Sequence, residues 1–150
     1  LLSGQRVPTE AGRTVLLESD SPVGPFVDKI APLFLPAEDE YVVDPHVFAD
    51  DDGKHYLYYG VIRPGWTPTE APTMVRGISA DLQTVSPTAQ VALGGPYAPW
   101  EKSPNADWPV IEGANILKRN GLYYFFYTGG AWFDSTYAVG YAVGTSPLGP

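Results

Sequence analysis

The sequence predicts an all-β chain built from repeated sheets of the propeller-blade kind, and three observations predict it. Residues 42–60 align without a gap on residues 110–128, matching Val42 to Val110, Gly53 to Gly121, Tyr56 to Tyr124 and Tyr59 to Tyr127 at an offset of 68 residues. In each copy a tight-turn dipeptide, Asp52-Gly53 or Asn120-Gly121, is followed by an aromatic run of strand length. No convincing helix occurs anywhere, while 16 Gly and 16 Pro punctuate short elements throughout. A repeat of this length suggests four-stranded blades, longer than the ~40–50 residues of the commonest propeller repeats. Two blades cannot close a ring, so the propeller is incomplete in this chain.

Within residues 11–35 one strand is predicted, over residues 14–18, followed by Ser21-Pro22-Val23-Gly24-Pro25, a rigid turn. That phrase returns as Ser146-Pro147-Leu148-Gly149-Pro150 after residues 139–143, so one strand-then-turn device closes two units. In the earlier repeat, Val47-Phe48 and residues 56–59 flank Asp52-Gly53, which predicts a hairpin. Residues 61–109 are rich in Pro and Gly, with a strand predicted at residues 74–78 and a turn at Asp81-Leu82. Gly77 corresponds to Gly140 at an offset of 63, so a small indel separates the two units there. In the later repeat Ile116-Leu117 and residues 123–127 flank Asn120-Gly121, whose residues tolerate the positive φ that a type I′ turn needs at both positions. The aromatic runs are continuous rather than alternating, which predicts strands covered on both faces.

Composition narrows the function. At 150 residues and 44% hydrophobic the chain is long enough for one domain with a real core. A net charge of −8 argues against nucleic acid, whose phosphates demand clustered Lys and Arg, and a neutral ligand such as a sugar fits better. There is no cysteine, which excludes disulfides and thiolate metal sites. No apolar run approaches the ~20 residues of a membrane-spanning helix. Leu1-Leu2-Ser3-Gly4 reads as neither an initiator nor a signal peptide, so a cropped or processed chain is expected, and no compartment is written in it.

The ungapped repeat places Asp44 on Glu112, one acid at the same point of each copy. A lone Glu before Gly is most often a solvated turn residue, and a lone Asp before Pro usually caps a turn. Their coincidence in a repeat marks them as a site. Asp50-Asp51-Asp52 lacks the alternating spacing of a calcium loop and reads as a solvated turn. His46, with His55 as the sole other histidine, reads as a ligand-facing hydrogen-bonding residue, with a satisfied core histidine as the alternative and no metal expected. Trp132 and Phe133 follow Gly129-Gly130 in a predicted loop, where aromatics stack on a sugar face or pack between blades. Trp100 and Trp108 read as core or rim.

Residues 43–48, residues 50–54 and residues 56–60 together resemble the second blade of glycoside hydrolase family 43, the five-bladed arabinofuranosidases, xylosidases and arabinanases. Glu112-Gly113 followed by residues 118–127 resembles the third blade, which residues 137–142 and 146–150 continue to its end. The resemblance implies that residues 1–40 end blade one, residues 41–104 form blade two and residues 105–150 form blade three. It implies three carboxylates, with Glu112 as general acid, Asp44 as the residue that tunes its pKa, and a base in blade one. No Asp20, Asp28 or Asp39 context matches a blade-one pattern, so the base is expected before residue 1. Ala114 stands where the family commonly has Pro, which leaves the turn less rigid without touching the acid. The implied activity is inverting hydrolysis of arabinose- or xylose-containing glycans such as arabinan, arabinoxylan or their oligosaccharides, with no cofactor. A fructan-acting hydrolase of the related five-bladed clan and a non-catalytic sugar-binding propeller are the alternative readings.

Overall fold

The computed structural model describes residues 2–4, 13–34, 41–62, 72–94, 98–105 and 111–149. They form ten strands: β1 (Leu2–Gly4), β2 (Arg13–Glu18), β3 (Val27–Phe34), β4 (Tyr41–Ala49), β5 (His55–Ile62), β6 (Thr73–Ile78), β7 (Gln90–Leu93), β8 (Ile111–Arg119), β9 (Leu122–Gly129) and β10 (Ala138–Gly144). These make three antiparallel sheets in chain order, β1-β2-β3, then β4-β5-β6-β7, then β8-β9-β10. The only helical turn among the described residues is the 3₁₀ segment Pro99–Glu101. Trp66 and Trp108, and Asp39 of the blade-one aspartates, lie outside the described residues.

Two apolar clusters weld the sheets face to face. Leu33, Val42, Leu57, Tyr59, Val61 and Ile78 fill the space between the first and second sheets. Tyr56, Tyr58, Val75, Ile111, Ile116, Phe125 and Tyr127 fill the space between the second and third. Tyr56, Leu57, Tyr58 and Tyr59 are therefore all buried, the covering of both faces that their continuous run predicts. Each Tyr or Leu so buried contributes about 1.5–3 kcal/mol from apolar area alone. β9 differs: Tyr123, Phe125 and Tyr127 are buried, but Tyr124 and Phe126 lie against Tyr141 and remain half-exposed. Val139, Tyr141 and Val143 of β10 are exposed on the same side.

The described strands depart from the sequence reading in residues 11–35 and at Asp52-Gly53, and agree with it at Asn120-Gly121. Residues 11–35 hold β3 in addition to β2; Pro32 hides it, because proline has no N–H for a ladder and reads as a breaker, yet β3 is an edge strand where that loss is tolerated. Asn120 and Gly121 have φ of 53° and 76°, the predicted type I′ turn. Asp52-Gly53 does not do the same: the β4–β5 connection is a five-residue loop closed by Asp50 N–H to Lys54 C=O at 2.8 Å, and Gly53 alone has positive φ. That longer loop shifts β4 by one residue against β8 while β5 and β9 keep the offset of 68, with consequences for the acids.

Candidate active site

The first strand of the second and of the third sheet is broken by a β-bulge. In β4 the ladder skips from Val43↔Gly60 to His46↔Tyr58, and in β8 from Glu112↔Thr128 to Asn115↔Phe126. A bulge kinks the strand and re-aims the side chains around it. Within the bulges Asp44 has φ 50° and Gly113 has φ 67°. The left-handed conformation is open to Gly and tolerated by Asp, whose short side chain bonds locally. Bulge on bulge, Asp44 corresponds to Gly113 and Glu112 to Val43, so the two acids sit one residue out of step rather than at the identical position. The extra residue of the β4–β5 loop is the cause.

The offset brings the acids together. The Gly113 N–H donates to Asp44 Oδ2 at 3.2 Å, which latches the second sheet to the third beside Glu112. Glu112 is half-buried, and its Oε1 accepts a hydrogen bond from the Tyr137 hydroxyl at 2.8 Å. Burial raises the Glu112 pKa above the usual carboxylate range; the Tyr137 hydrogen bond opposes that, and the Asp44 charge adds to it. The sequence reading assigned the shift to the neighbouring carboxylate, whereas desolvation is the larger cause.

His46 is placed at the same interface but is engaged there. Its Nε2 accepts the Ile116 N–H at 3.3 Å, and its ring lies 6.4 Å from that of Tyr58. β8 is an edge of its sheet, and His46 satisfies one of its free N–H groups. Burial lowers the His46 pKa, favouring the neutral ring that can accept this bond. The contact fits the alternative reading of the sequence, a satisfied histidine, on a ring that is half-buried.

The acidic turn is likewise structural. Asp50 is buried, and its carboxylate takes Lys118 Nζ at 2.6 Å and the Tyr123 hydroxyl at 2.6 Å, while Lys118 also pairs with Asp51. Burial works to raise the Asp50 pKa, but the hydrogen bonds from Lys118, Tyr123 and the Asp51 backbone outweigh it and bring it to about 2. Asp50 is thus a clasp between blades, whereas Asp51 and Asp52 are exposed in the turn, as the sequence reading has them.

Trp132 and Phe133 lie in the β9–β10 connection, at the end of the sheet where Glu112 pairs with Thr128. They are 71% and 48% exposed, with rings edge to face at 5.4 Å. Asp134 braces this loop, accepting from Ser103 Oγ, from Asn105 Nδ2 at 3.0 Å and from Thr136 N–H at 2.8 Å. Trp100, stacked on Tyr127 at 5.8 Å, and the buried Glu101, which accepts the Tyr127 hydroxyl at 2.5 Å, anchor the loop's base through Gly130 N–H to Glu101 C=O. Two exposed aromatics on a braced loop, at the end of the sheet that carries Glu112, are of the kind that can stack on a sugar ring. Tyr137 and Asp134 were missed from the sequence because only the fold sets them beside Glu112 and Ser103.

The profile of the family described as Glycosyl hydrolases family 43 matches residues 4–150. The chain is 34% identical over 108 residues to a β-D-galactofuranosidase of Aspergillus niger, covering 72% of this chain and 26% of that protein. It is 30% identical over 150 residues to a β-xylosidase of Xylanibacter ruminicola, covering 88% of this chain and 44% of that protein. A solved structure described as a thermostable family-43 glycoside hydrolase superposes with a TM-score of 0.86 at 32% identity, covering 99% of this chain and 47% of that one. The chain thus spans less than half the length of each of these relatives.

Proposed function

The chain belongs to the family-43 glycosyl hydrolases, and from that premise we propose that its three sheets are part of the catalytic propeller of an inverting glycosidase acting on xylose- or arabinose-containing glycans. Glu112 is the general acid. The observation that carries this role is its half-buried carboxyl, kept protonated to higher pH by desolvation and by the charge of Asp44, which is latched beside it. A glycosidic oxygen leaves poorly unless protonated, and a carboxylic acid with a raised pKa supplies that proton near neutrality.

In the proposed reaction the Glu112 proton passes to the glycosidic oxygen as the bond from that oxygen to the anomeric carbon breaks. A water attacks the anomeric carbon from the opposite face and gives its proton to a base. The base stands roughly 6.5–9.5 Å from the acid in inverting enzymes, and it is assigned to the propeller outside these residues. Asp44 tunes the acid, and Trp132 and Phe133 offer a stacking surface for a sugar ring.

The test is Glu112→Gln in the full-length protein, assayed on aryl β-xylosides, α-arabinofuranosides and β-galactofuranosides with good and poor leaving groups. Loss of about 10²-fold or more on poor leaving groups, with a smaller loss on activated ones, is expected for general acid catalysis. Small and equal losses would sink the assignment, and the preferred glycoside fixes the sugar.

A further inference from the structure

Resting on Glu112 as the general acid, we propose that Tyr137 is the positioning residue of that acid: its hydroxyl holds Oε1 and leaves Oε2 as the oxygen that presents the proton to the substrate. The Tyr137 hydroxyl is 2.8 Å from Glu112 Oε1 and 3.0 Å from Thr128 Oγ1. Thr128 lies directly opposite Glu112 in the β8–β9 ladder and donates to the Glu112 carbonyl at 3.1 Å. Backbone and side chain of the acid are therefore held by one small network. Among the described residues no hydrogen bond engages Oε2.

The terminal torsion of a glutamate is broad, so a carboxyl with two free oxygens samples many orientations. A single well-placed donor on one oxygen removes that freedom, and orientation of a reacting group is a large part of catalysis. Tyr137 is itself placed by the braced loop: its N–H donates to the Asp134 carbonyl at 3.4 Å, and Asp134 is held by Ser103, Asn105 and Thr136. The loop carrying the exposed Trp132 and Phe133 thus also aims the acid.

A donor to a carboxyl favours its ionised form, because the bond strengthens when the acceptor is charged. Tyr137 therefore pulls the Glu112 pKa down against burial and against Asp44, the titratable group that faces the pair from β4. This gives the role a signature that packing alone does not have. In the full-length protein, Tyr137→Phe keeps the ring and removes the donor. It should lower kcat on glycosides with poor leaving groups by about tenfold, a fraction of the 10²–10⁴ of general acid catalysis, leave KM nearly unchanged, and move the basic limb of the pH–rate profile to higher pH. Thr128 Oγ1, whose own proton goes to the Glu112 carbonyl, meets Tyr137 as a competing acceptor, so Thr128→Val should move the limb the other way, slightly to lower pH, and Thr128→Ser should restore the parent profile.

A limb that stays put or falls in Tyr137→Phe, or a loss confined to KM, overturns the proposal and makes Tyr137 a substrate contact or packing residue. Should that variant fail to fold, the Thr128 pair decides: identical profiles for Val and Ser overturn it. Glu112→Gln, run in parallel, separates the two readings. If that variant keeps its activity on poor leaving groups, the acid assignment fails, whereas a dead Glu112→Gln beside an unshifted Tyr137→Phe defeats only the positioning role.

Discussion

The Asp44 carboxylate accepts the backbone N–H of Gly113 at 3.2 Å, so the bulge of one blade is latched to the bulge of the next, and a negative charge is parked beside Glu112. Asp44→Asn keeps an oxygen able to accept that N–H and removes only the charge. Burial still raises the Glu112 pKa in the variant, but the Asp44 contribution is gone, so the acid loses its proton at lower pH. The basic limb of the pH–rate profile of the full-length protein should move to lower pH, opposite in sign to the shift expected for Tyr137→Phe. Two variants shifting the same way would mean that at least one of these electrostatic roles is wrong.

Asp50 yields a stability prediction with a defined pH window. Its folded pKa is about 2 against an ordinary 3.8, so the unfolded chain binds the proton more tightly. The clasp with Lys118 and Tyr123 is then fully stabilising above the unfolded value and is lost as pH falls through the folded one. Asp50→Asn should destabilise the full-length protein by about 2 kcal/mol at neutral pH, the scale of hydrogen bonds to a charged group. The gap between the denaturant midpoints of parent and variant should begin to narrow below about pH 3.8 and close as pH falls through about 2. A gap of constant size from neutral pH down to about pH 2 would place the charge of Asp50 outside the energetics.

Much of this architecture was legible in the sequence for identifiable reasons. Asn120-Gly121 announces its turn because few residue pairs accept two positive φ values, and the Tyr56 to Tyr59 run announces burial on both faces because nothing polar interrupts it. Asp44 and Glu112 come together in the fold although the ungapped match sets them one residue out of step, since a bulge cannot be seen in such a match. The clasp left a signal that went unread: the same 68-residue offset sets Asp50 on Lys118, opposite charges at one register of two copies. Tyr137 left none. Its contact with Glu112 depends on the course of the braced loop, and a tyrosine before a strand looks like any other strand residue.

Gly121 isolates the cost of turn geometry. A Cβ added there would meet nothing within 4 Å, so Gly121→Ala introduces no clash and only the strain of its φ of 76°. The expected loss is about 1 kcal/mol, the low end for an L-residue in the left-handed region. Equilibrium denaturation of the full-length variant measures it. No loss would show that the β8–β9 hairpin relaxes to another turn.

Trp132 and Phe133 are proposed to meet the sugar beyond the bond being cleaved. Trp132→Ala should raise KM on oligosaccharides by roughly fivefold, equivalent to about 1 kcal/mol of stacking, while aryl monoglycosides, which lack the extra ring, should change little. Equal effects on both substrate types would assign the pair to packing instead.

The last prediction concerns residues 1–150 in isolation. Val139, Tyr141 and Val143 are 72%, 63% and 47% exposed on the third sheet, β10 is a free edge of the described sheet, and the relatives are more than twice as long. An apolar face beside an unpaired edge strand is a template for association with another chain. Expressed alone, these residues should self-associate, and light scattering should report species larger than the 16.2 kDa monomer. Tyr141→Ser combined with Val139→Ser should shift the distribution toward monomer, because both side chains point out of the one face. The isolated residues should also be catalytically inert on aryl xylosides and arabinofuranosides, since Glu112 can protonate a leaving group but the proposed base lies elsewhere. A monodisperse monomer that turns over these substrates like the full-length protein would place the base within these residues and overturn the division of the three carboxylates among the blades.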